Sequence, residues 1–405
     1  MHLLGQRILW ARTRDYLQRY RPAIVGITGS AGSEMTRAAI ALALADSRQV
    51  RTSPANVRTR AGVALAALGA TSEKMRTSWM RLLAGSRIKE LAEEEPSVIV
   101  LALPGDRPGE IDFFARNLPL SVAVVTSVQS VHLDLYQNQD LVAHEYASLL
   151  AALPPEGTAC LNRDDPRVAA LAGKTKAKII WYGRAAGADV RLVRAQRMPS
   201  QGYACEFMAR GVSIEVHLPH ILAADQLLYI AAALAAALAL GGNAREAARH
   251  LAQLKPPRGN MRQLSGRGGS HLLDDSDSAT PESMMAALTT LHELPAQRRI
   301  AVLGGIENLG SQAQVWHEKI GRRAAETSDI FIAVGENMRQ AGAVALRTDD
   351  TDVHHFDTSR DVGTWLQQFL GKGDLVLISG DRAARLEEVT RRLLANPGDA
   401  SQLVH

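Results

Sequence analysis

Residues 23–32 read A-I-V-G-I-T-G-S-A-G. A β-branched run enters a glycine turn, and a helix is predicted to follow from Ser33. This is the strand–loop–helix setting of a phosphate-binding loop, where backbone N–H groups and a helix N-terminus cradle phosphates. The next two positions should be Lys, which reaches the β- and γ-phosphates, and Ser or Thr, whose hydroxyl binds Mg²⁺. Here they are Ser33 and Glu34. Glu34 puts a negative charge where a phosphate would sit, and a carboxylate suits a helix N-terminus electrostatically. The stretch predicts a nucleotide-binding architecture with an altered nucleotide site.

Outward from this loop, apolar runs of strand length alternate with helical patterns. Strands are predicted at Ala23–Thr28, Ser97–Leu103, Ser121–Thr126, Gly157–Leu161 and Lys178–Tyr182, with helices between them such as Asp140–Leu153. Such alternation argues for an α/β domain with a mainly parallel sheet. Asp189–His217 alternates like antiparallel strands, and two Ala-rich helices follow at Ala224–Leu240 and Ala244–Leu254. Lys255-Pro256-Pro257-Arg258-Gly259 reads as a linker. Beyond it, strands are predicted at His271–Leu273, Arg299–Leu303, Asp329–Val334 and Asp374–Ile378, and helices at Pro281–Leu291, Gln312–Glu326 and Arg382–Leu394. This second series predicts a smaller, doubly wound, Rossmann-like domain. The expected organisation is a helix over 1–21, a central domain over 22–255 and a C-terminal domain over 256–405.

Composition sets limits. The 405 residues suit two or three domains, and 46% hydrophobic with 22% charged residues is ordinary for a globular chain. Lys+Arg is 46 against Asp+Glu 42, a net charge of +4, too little to argue for nucleic acid. Only eight of the basic residues are Lys, and the one nearest the loop in sequence is Lys74. Cys160 and Cys205 lack metal-type spacing and are expected as buried free thiols, which fits a reducing cytoplasm. Arg7, Arg12 and Arg14 interrupt any signal-peptide core. The apolar run Leu227–Leu240 is short for a membrane span and reads as a buried helix. In residues 1–21, Leu4, Ile8, Leu9, Tyr16 and Tyr20 recur near helical spacing among five Arg. That pattern suits a helix packed on the following domain, or a membrane-surface or partner helix.

Eight motifs occur in order: T-G-S-A-G at 28–32, P-G-E-I at 108–111, V-V-T-S-V-Q-S-V-H-L at 124–133, L-N-R-D-D-P at 161–166, P-P-R-G at 256–259, L-D-D-S at 273–276, V-L-G-G at 302–305 and G-D-L-V-L-I-S-G at 373–380. Together they resemble the Mur ligases from about residue 20 to the C-terminus. The likeness is greatest to the branch that adds D-alanyl-D-alanine to UDP-N-acetylmuramoyl-tripeptide, in short forms that begin with a helix in place of the N-terminal substrate domain. The resemblance implies amide-bond formation in two steps: ATP phosphorylates a substrate carboxylate, and an amine then attacks the acyl phosphate. It implies ATP and Mg²⁺ as cofactors, and a UDP-muramoyl-peptide or another cell-wall enzyme as partner. Positioning and electrostatic stabilisation supply nearly all of such catalysis.

The resemblance also assigns positions. Gly29, Ser30, Ala31, Gly32, Ser33 and Glu34 fall on the nucleotide loop, with Ser33 at its lysine and Glu34 at its Mg²⁺-binding hydroxyl. The acidic metal ligand falls on Ala102, and the lysine that supports a second metal falls on Tyr146. His132 is retained, which by resemblance implies a metal ligand and catalytic-site histidine; a histidine satisfied by hydrogen bonds is the other reading, favoured because the acidic partner position holds Ala102. Asn162, Asp165, Asp274 and Asp275 are retained on the nucleotide side, and Asn260 stands where the family has Arg. For Asp165 a helix cap, and for Asp274 and Asp275 capping or loop hydrogen bonding, explain the residues equally well. His317 is also retained. Asp277, Glu307 and Ser379 fall in the family's D-D-S-Y, D-M-L-E and K-G-S runs, changed in each case. The losses cluster on chemistry while the glycines, prolines and apolar pattern persist. The expectation is a ligase fold with lost or weakened activity that acts by binding or scaffolding; the alternative is an active ligase with a rearranged site.

Overall fold

Short apolar runs and amphipathic helices build two sheets in the computed structural model, which describes residues 3–55, 57–70, 95–198, 202–347 and 351–404. Lys74 lies outside the described residues. The first sheet has nine strands in the order β2-β3-β1-β4-β5-β6-β7-β8-β9. They are β1 (Ala23–Thr28), β2 (Val50–Thr52), β3 (Val98–Ala102), β4 (Val122–Val125), β5 (Thr158–Asn162), β6 (Lys178–Gly183), β7 (Val190–Arg197), β8 (Tyr203–Ala209) and β9 (Val212–Leu218). Strands β1 to β7 run parallel, and β7, β8 and β9 form an antiparallel extension. The predicted strands therefore form, each within a residue or two of its expected bounds. β2 was not predicted: at three residues on the sheet edge it is too short for a pattern to register.

Each face of this sheet carries its own core, because side chains alternate along a strand. Ile24 of β1 faces one core and Val25 and Ile27 the other. On the second face the predicted buried helix is Gln226–Ala239, whose Ala231–Ala237 run is at most 1% exposed. Its small side chains let it lie close against helix Ser33–Ala43 and the sheet. The first face receives helix Leu3–Tyr20 through Leu9, Trp10, Tyr16 and Leu17. Each such fully buried side chain stabilises the docking by roughly 1.5–3 kcal/mol. Of the two readings of this segment, the structure shows the packed helix; Leu4 and Ile8 remain exposed. No described helix is long and apolar enough to cross a membrane. Both cysteines are free and buried.

The second sheet has the order β10-β11-β15-β12-β13-β14, built from β10 (Arg262–Ser265), β11 (His271–Asp275), β12 (Arg298–Gly304), β13 (Ile330–Val334), β14 (Asp352–Phe356) and β15 (Asp374–Ser379). All neighbours run parallel except β10 against β11. β10 and β14 were not predicted; both are edge strands, and R-Q-L-S and D-V-H-H-F carry too few apolar residues to stand out. The predicted helix Arg382–Leu394 is corrected to Glu387–Leu393, preceded by a 3-10 turn at Arg382–Ala384. Arg385 at φ 49° lies between them, in the left-handed region that interrupts a right-handed helix. The α/β class and the two successive sheets match the expectation.

Candidate functional site

The C-terminal ends of parallel strands collect the chemistry-bearing loops, as open α/β sheets generally do. The loop after β1 enters helix Ser33–Ala43 through Gly29 at φ 142° and Gly32 at φ 79°. Gly32 has a second reason to be glycine: a Cβ there would run into the ring of Tyr229. The segment after β4 tethers the loop. Ser30 N–H donates to Ser127 O at 2.9 Å, Gln129 N–H donates to Ser30 Oγ at 2.9 Å, and Thr126 Oγ1 donates to Ala31 O at 2.6 Å. A phosphate-loop backbone is thus built, and its following N–H groups find no backbone acceptor before Thr36 bonds to Gly32 O at 2.8 Å.

Glu34 lies in the first turn of helix Ser33–Ala43 and lines the loop, and Arg37, one turn along the same helix, holds its carboxylate at 2.9 Å, with both side chains at most 20% exposed. The charge is neutralised locally, since Arg37 lies three residues on, where helix side chains meet.

Across from the loop, Ala102 ends β3 and Tyr146 rises from helix Gln139–Ala151. Tyr146 Oη lies 3.2 Å from Ser30 Oγ. Burial pushes its phenol far above the ordinary value, so it stays neutral. The neighbouring Glu145 turns the other way, accepting the N–H groups of Gly109 at 2.8 Å and Ile111 at 2.7 Å. That carboxylate anchors the start of helix Glu110–Asn117, the P-G-E-I segment.

His132 sits at φ 48°, uncommon for a non-glycine residue, and its Nε2 lies 3.5 Å from Asp106 Oδ1. Burial pushes the Asp106 carboxyl up, but His132, Arg58 and Arg107 outweigh that and hold it below the ordinary value. Asp106 and Arg58 were missed by the sequence reading. Neither belongs to a recognisable motif, and a helix and a strand separate Arg58 from the loop in sequence.

These groups share one cleft between the two sheets. Gly29–Glu34, Arg58, Ala102, Asp106, His132 and Tyr146 line one side, and Asn260, Asp277–Thr280, Ile306–Asn308 and Asp381 the other. Its volume is about 170 Å³, below the ~300 Å³ at which small-molecule sites begin but ample for a phosphate-sized group. Asn260 Nδ2 donates to Arg258 O at 3.0 Å. His317, buried and pushed down by that burial, accepts the Ile306 N–H at 3.2 Å and so fixes the Ile306–Asn308 wall.

Four predicted residues lie elsewhere. Asn162 and Asp165 do not line the cleft. Asn162 Nδ2 bonds Thr126 O at 2.9 Å. Asp165 caps helix Pro166–Ala170 and also accepts Val128 N–H at 2.7 Å, so the cap reading holds and the residue braces the segment that tethers the loop. Asp274 and Asp275 likewise do not line the cleft. Asp274 Oδ1 accepts Ser276 and Thr390 hydroxyls at 2.7 and 3.2 Å, while its Oδ2 is buried without a hydrogen-bond partner. Burial pushes its carboxyl up to about 6. Asp275 accepts Met261 N–H at 3.0 Å and Ser379 Oγ–H at 2.9 Å, and burial pushes it well up too.

The residues present fit an anion at the loop backbone but do not fit a Mg²⁺ pair. Position 102 offers a methyl group and position 146 a neutral phenol, and among the described residues no three His, Cys, Asp or Glu side chains converge as a metal site.

A fold with a phosphate-type loop, a cleft between two α/β units and the ordered motifs of the sequence defines a class. Residues 27–237 match the Mur ligase middle domain, and residues 260–382 match the Mur ligase glutamate ligase domain. The chain belongs to the Mur ligase family. Its relatives include the UDP-N-acetylmuramoyl-tripeptide–D-alanyl-D-alanine ligases of Synechocystis sp., 27% identical over 94% of this chain and 76% of that protein, and of Mycobacterium tuberculosis, 28% identical over 92% and 73%. The chain thus spans about three quarters of their length. Among solved structures, the MurF ligase of Thermotoga maritima in complex with ADP superposes with a TM-score of 0.81 at 23% identity, covering 96% of this chain and 83% of that one. The folylpolyglutamate synthase of Mycobacterium tuberculosis complexed with ADP and AMPPCP superposes at 0.67 and 16% identity, covering 96% and 95%. These two share the fold.

Proposed function

We propose that this protein is a Mur ligase-like component of peptidoglycan precursor synthesis whose ATP-dependent ligase activity is lost or much weakened, and that it acts by binding or scaffolding in the cytoplasm. The observation that carries this is convergence. Ser33, Ala102 and Tyr146, three positions where the family places chemistry, line one cleft around a loop whose backbone keeps its shape. Losing one preorganised donor at a charged transition state costs on the order of 3–4 kcal/mol. Losing a cation and two metal supports costs more, without simple additivity. A UDP-muramoyl-peptide or another cell-wall enzyme is the partner this reading favours. Isothermal titration with Mg-ATP is expected to give no saturable binding below millimolar concentrations. Micromolar affinity together with substrate-dependent phosphate release overturns the proposal.

A second reading has one observation in its favour. Arg58 lines the cleft, where its charge acts on the carboxyls of Asp106 and Asp277. A guanidinium there, with Asp106 beside His132, would equip a rearranged site that joins D-alanyl-D-alanine or a similar amine to a UDP-muramoyl-peptide. That reading requires phosphate release that disappears in Arg58→Ala.

A further inference from the structure

The two units are joined across the cleft by side chains that the proposed function does not use. Helix Pro281–Glu293 begins with Thr280 as its cap, which accepts Ser283 N–H at 2.9 Å. The Thr280 hydroxyl also donates to Gln129 Oε1 of the central domain at 2.6 Å. Two residues on, the Glu282 carboxylate accepts from three donors of that domain: Ser130 N–H at 3.1 Å, Ser130 Oγ–H at 2.7 Å and Gln139 Nε2–H at 3.1 Å. Ser130 is only 2% exposed, so these bonds lie largely out of water. Hydrogen bonds to an ionised acceptor are roughly twice as strong as neutral ones. The carboxylate also sits in the first turn of its own helix, where the dipole favours it.

The same short segment is gripped a second time. Asp134 N–H donates to Asn308 O at 3.3 Å, and Gly310, at φ 56°, brings its backbone against Leu133 and Asp134. The C-terminal unit therefore holds residues 129–139 from two sides. His132, with its left-handed backbone, lies between the two grips.

We infer that Glu282 is an interdomain latch: its carboxylate closes the C-terminal unit onto the Ser130–Gln139 segment and thereby positions His132 against Asp106. Closure rests on contacts within the chain, and Glu282 itself is not a cleft-lining group. It is a positioning residue, acting through Ser130 and the segment that follows. The 170 Å³ cleft then describes the latched state, and a ligand larger than a phosphate enters when the latch opens. The inference does not depend on whether the cleft runs ligase chemistry.

The test is a spin-label distance distribution across the cleft. Glu156→Cys and Gln368→Cys place labels on exposed positions of the two units. The native thiols do not compete: both are buried, and burial pushes Cys205 up to about 12 and Cys160 further still. With Glu282 intact, one narrow distance is expected. Glu282→Ala is expected to add a longer population, with the open fraction rising at least tenfold. Glu282→Gln keeps the shape and one acceptor but loses the charge, and is expected to fall between. Nuclear magnetic resonance of the His132 imidazole supplies a second, local readout: its ring chemical shifts should change as it leaves Asp106, 3.5 Å away in the closed state. If Glu282→Gln and Glu282→Ala fold, by circular dichroism, yet keep the parent distance distribution and His132 ring shifts, the latch is refuted. If Glu282→Ala does not fold, the Gln variant decides alone.

Discussion

Two segments of this molecule occupy equivalent places and are held in opposite ways. Gly29–Gly32 follows a central strand of the first sheet, and Asp274–Asp277 runs off the end of β11, an inner strand of the second. The glycine loop works through its backbone. Left-handed dihedrals, tethers to Thr126, Ser127 and Gln129, and the Tyr229 ring over Gly32 keep its shape whichever side chains follow. The acid loop works through its side chains, and these are already committed: Asp274 to Ser276 and Thr390, Asp275 to Met261 and Ser379. Backbone geometry of this kind holds with Ser33 and Glu34 following it because packing maintains it. A carboxylate stays in place when its hydrogen bonds serve the fold, whether or not it still meets a ligand.

The comparison breaks most readily at Gly32. Gly32→Ala must adopt φ 79° and displace the Tyr229 ring. The left-handed backbone costs about 1–2 kcal/mol and overpacking about 1–3. A loss of roughly 2–5 kcal/mol is expected, read as a lower urea midpoint; an unchanged midpoint would show that the loop is not held by its packing.

Asp274→Asn tests the acid loop. The folded carboxyl is raised from 3.8 to about 6, so the folded state binds the extra proton between those values. This contribution to stability is whole below about pH 4 and is lost as pH rises through 6, by about 3 kcal/mol. The neutral isostere should therefore stabilise the protein by up to about 3 kcal/mol at pH 7 and by almost nothing at pH 4. Equal effects at both pH values would assign Asp274 an ordinary, unshifted carboxyl.

Repair of the glycine loop tests the loss of chemistry directly. Ser33→Lys, Glu34→Thr, Ala102→Glu and Tyr146→Lys together are expected to tighten Mg-ATP binding at least ~100-fold, about 2.7 kcal/mol. Continued failure to bind, by calorimetry on a folded variant, would mean that the cleft itself has been remodelled. The smallest effect is expected from Tyr146→Phe. It removes only the 3.2 Å contact with Ser30, worth about 1 kcal/mol. A much larger loss of stability would make that contact a principal support of the loop.

Much of this was legible in one dimension, and the reason differs by residue. β1 and its glycine turn could be read because β-branched runs and obligatory glycines are local properties of the chain. The edge strands β2, β10 and β14 could not, since a short or polar strand is made by its neighbour rather than by its own pattern. Asp165 was legible as a cap, because Asp-Pro states the helix start locally. Arg58, Asp106 and Glu282 were not, because each takes its meaning from residues far along the chain: His132 beside Asp106, Ser130 and Gln139 around Glu282.

The sequence by itself determined the α/β class, the two successive sheets, the family and the absence of a lysine at the loop. All of these follow from local periodicity, glycine requirements and ordered motifs. Only the tertiary structure decided that Glu34 is neutralised by Arg37, that Asp274 and Asp275 bond within the fold and do not line the cleft, and that Glu282 bonds Ser130 and Gln139 across it. Those outcomes depend on which side chain reaches which partner, and distance through space is a quantity that spacing along the chain does not contain.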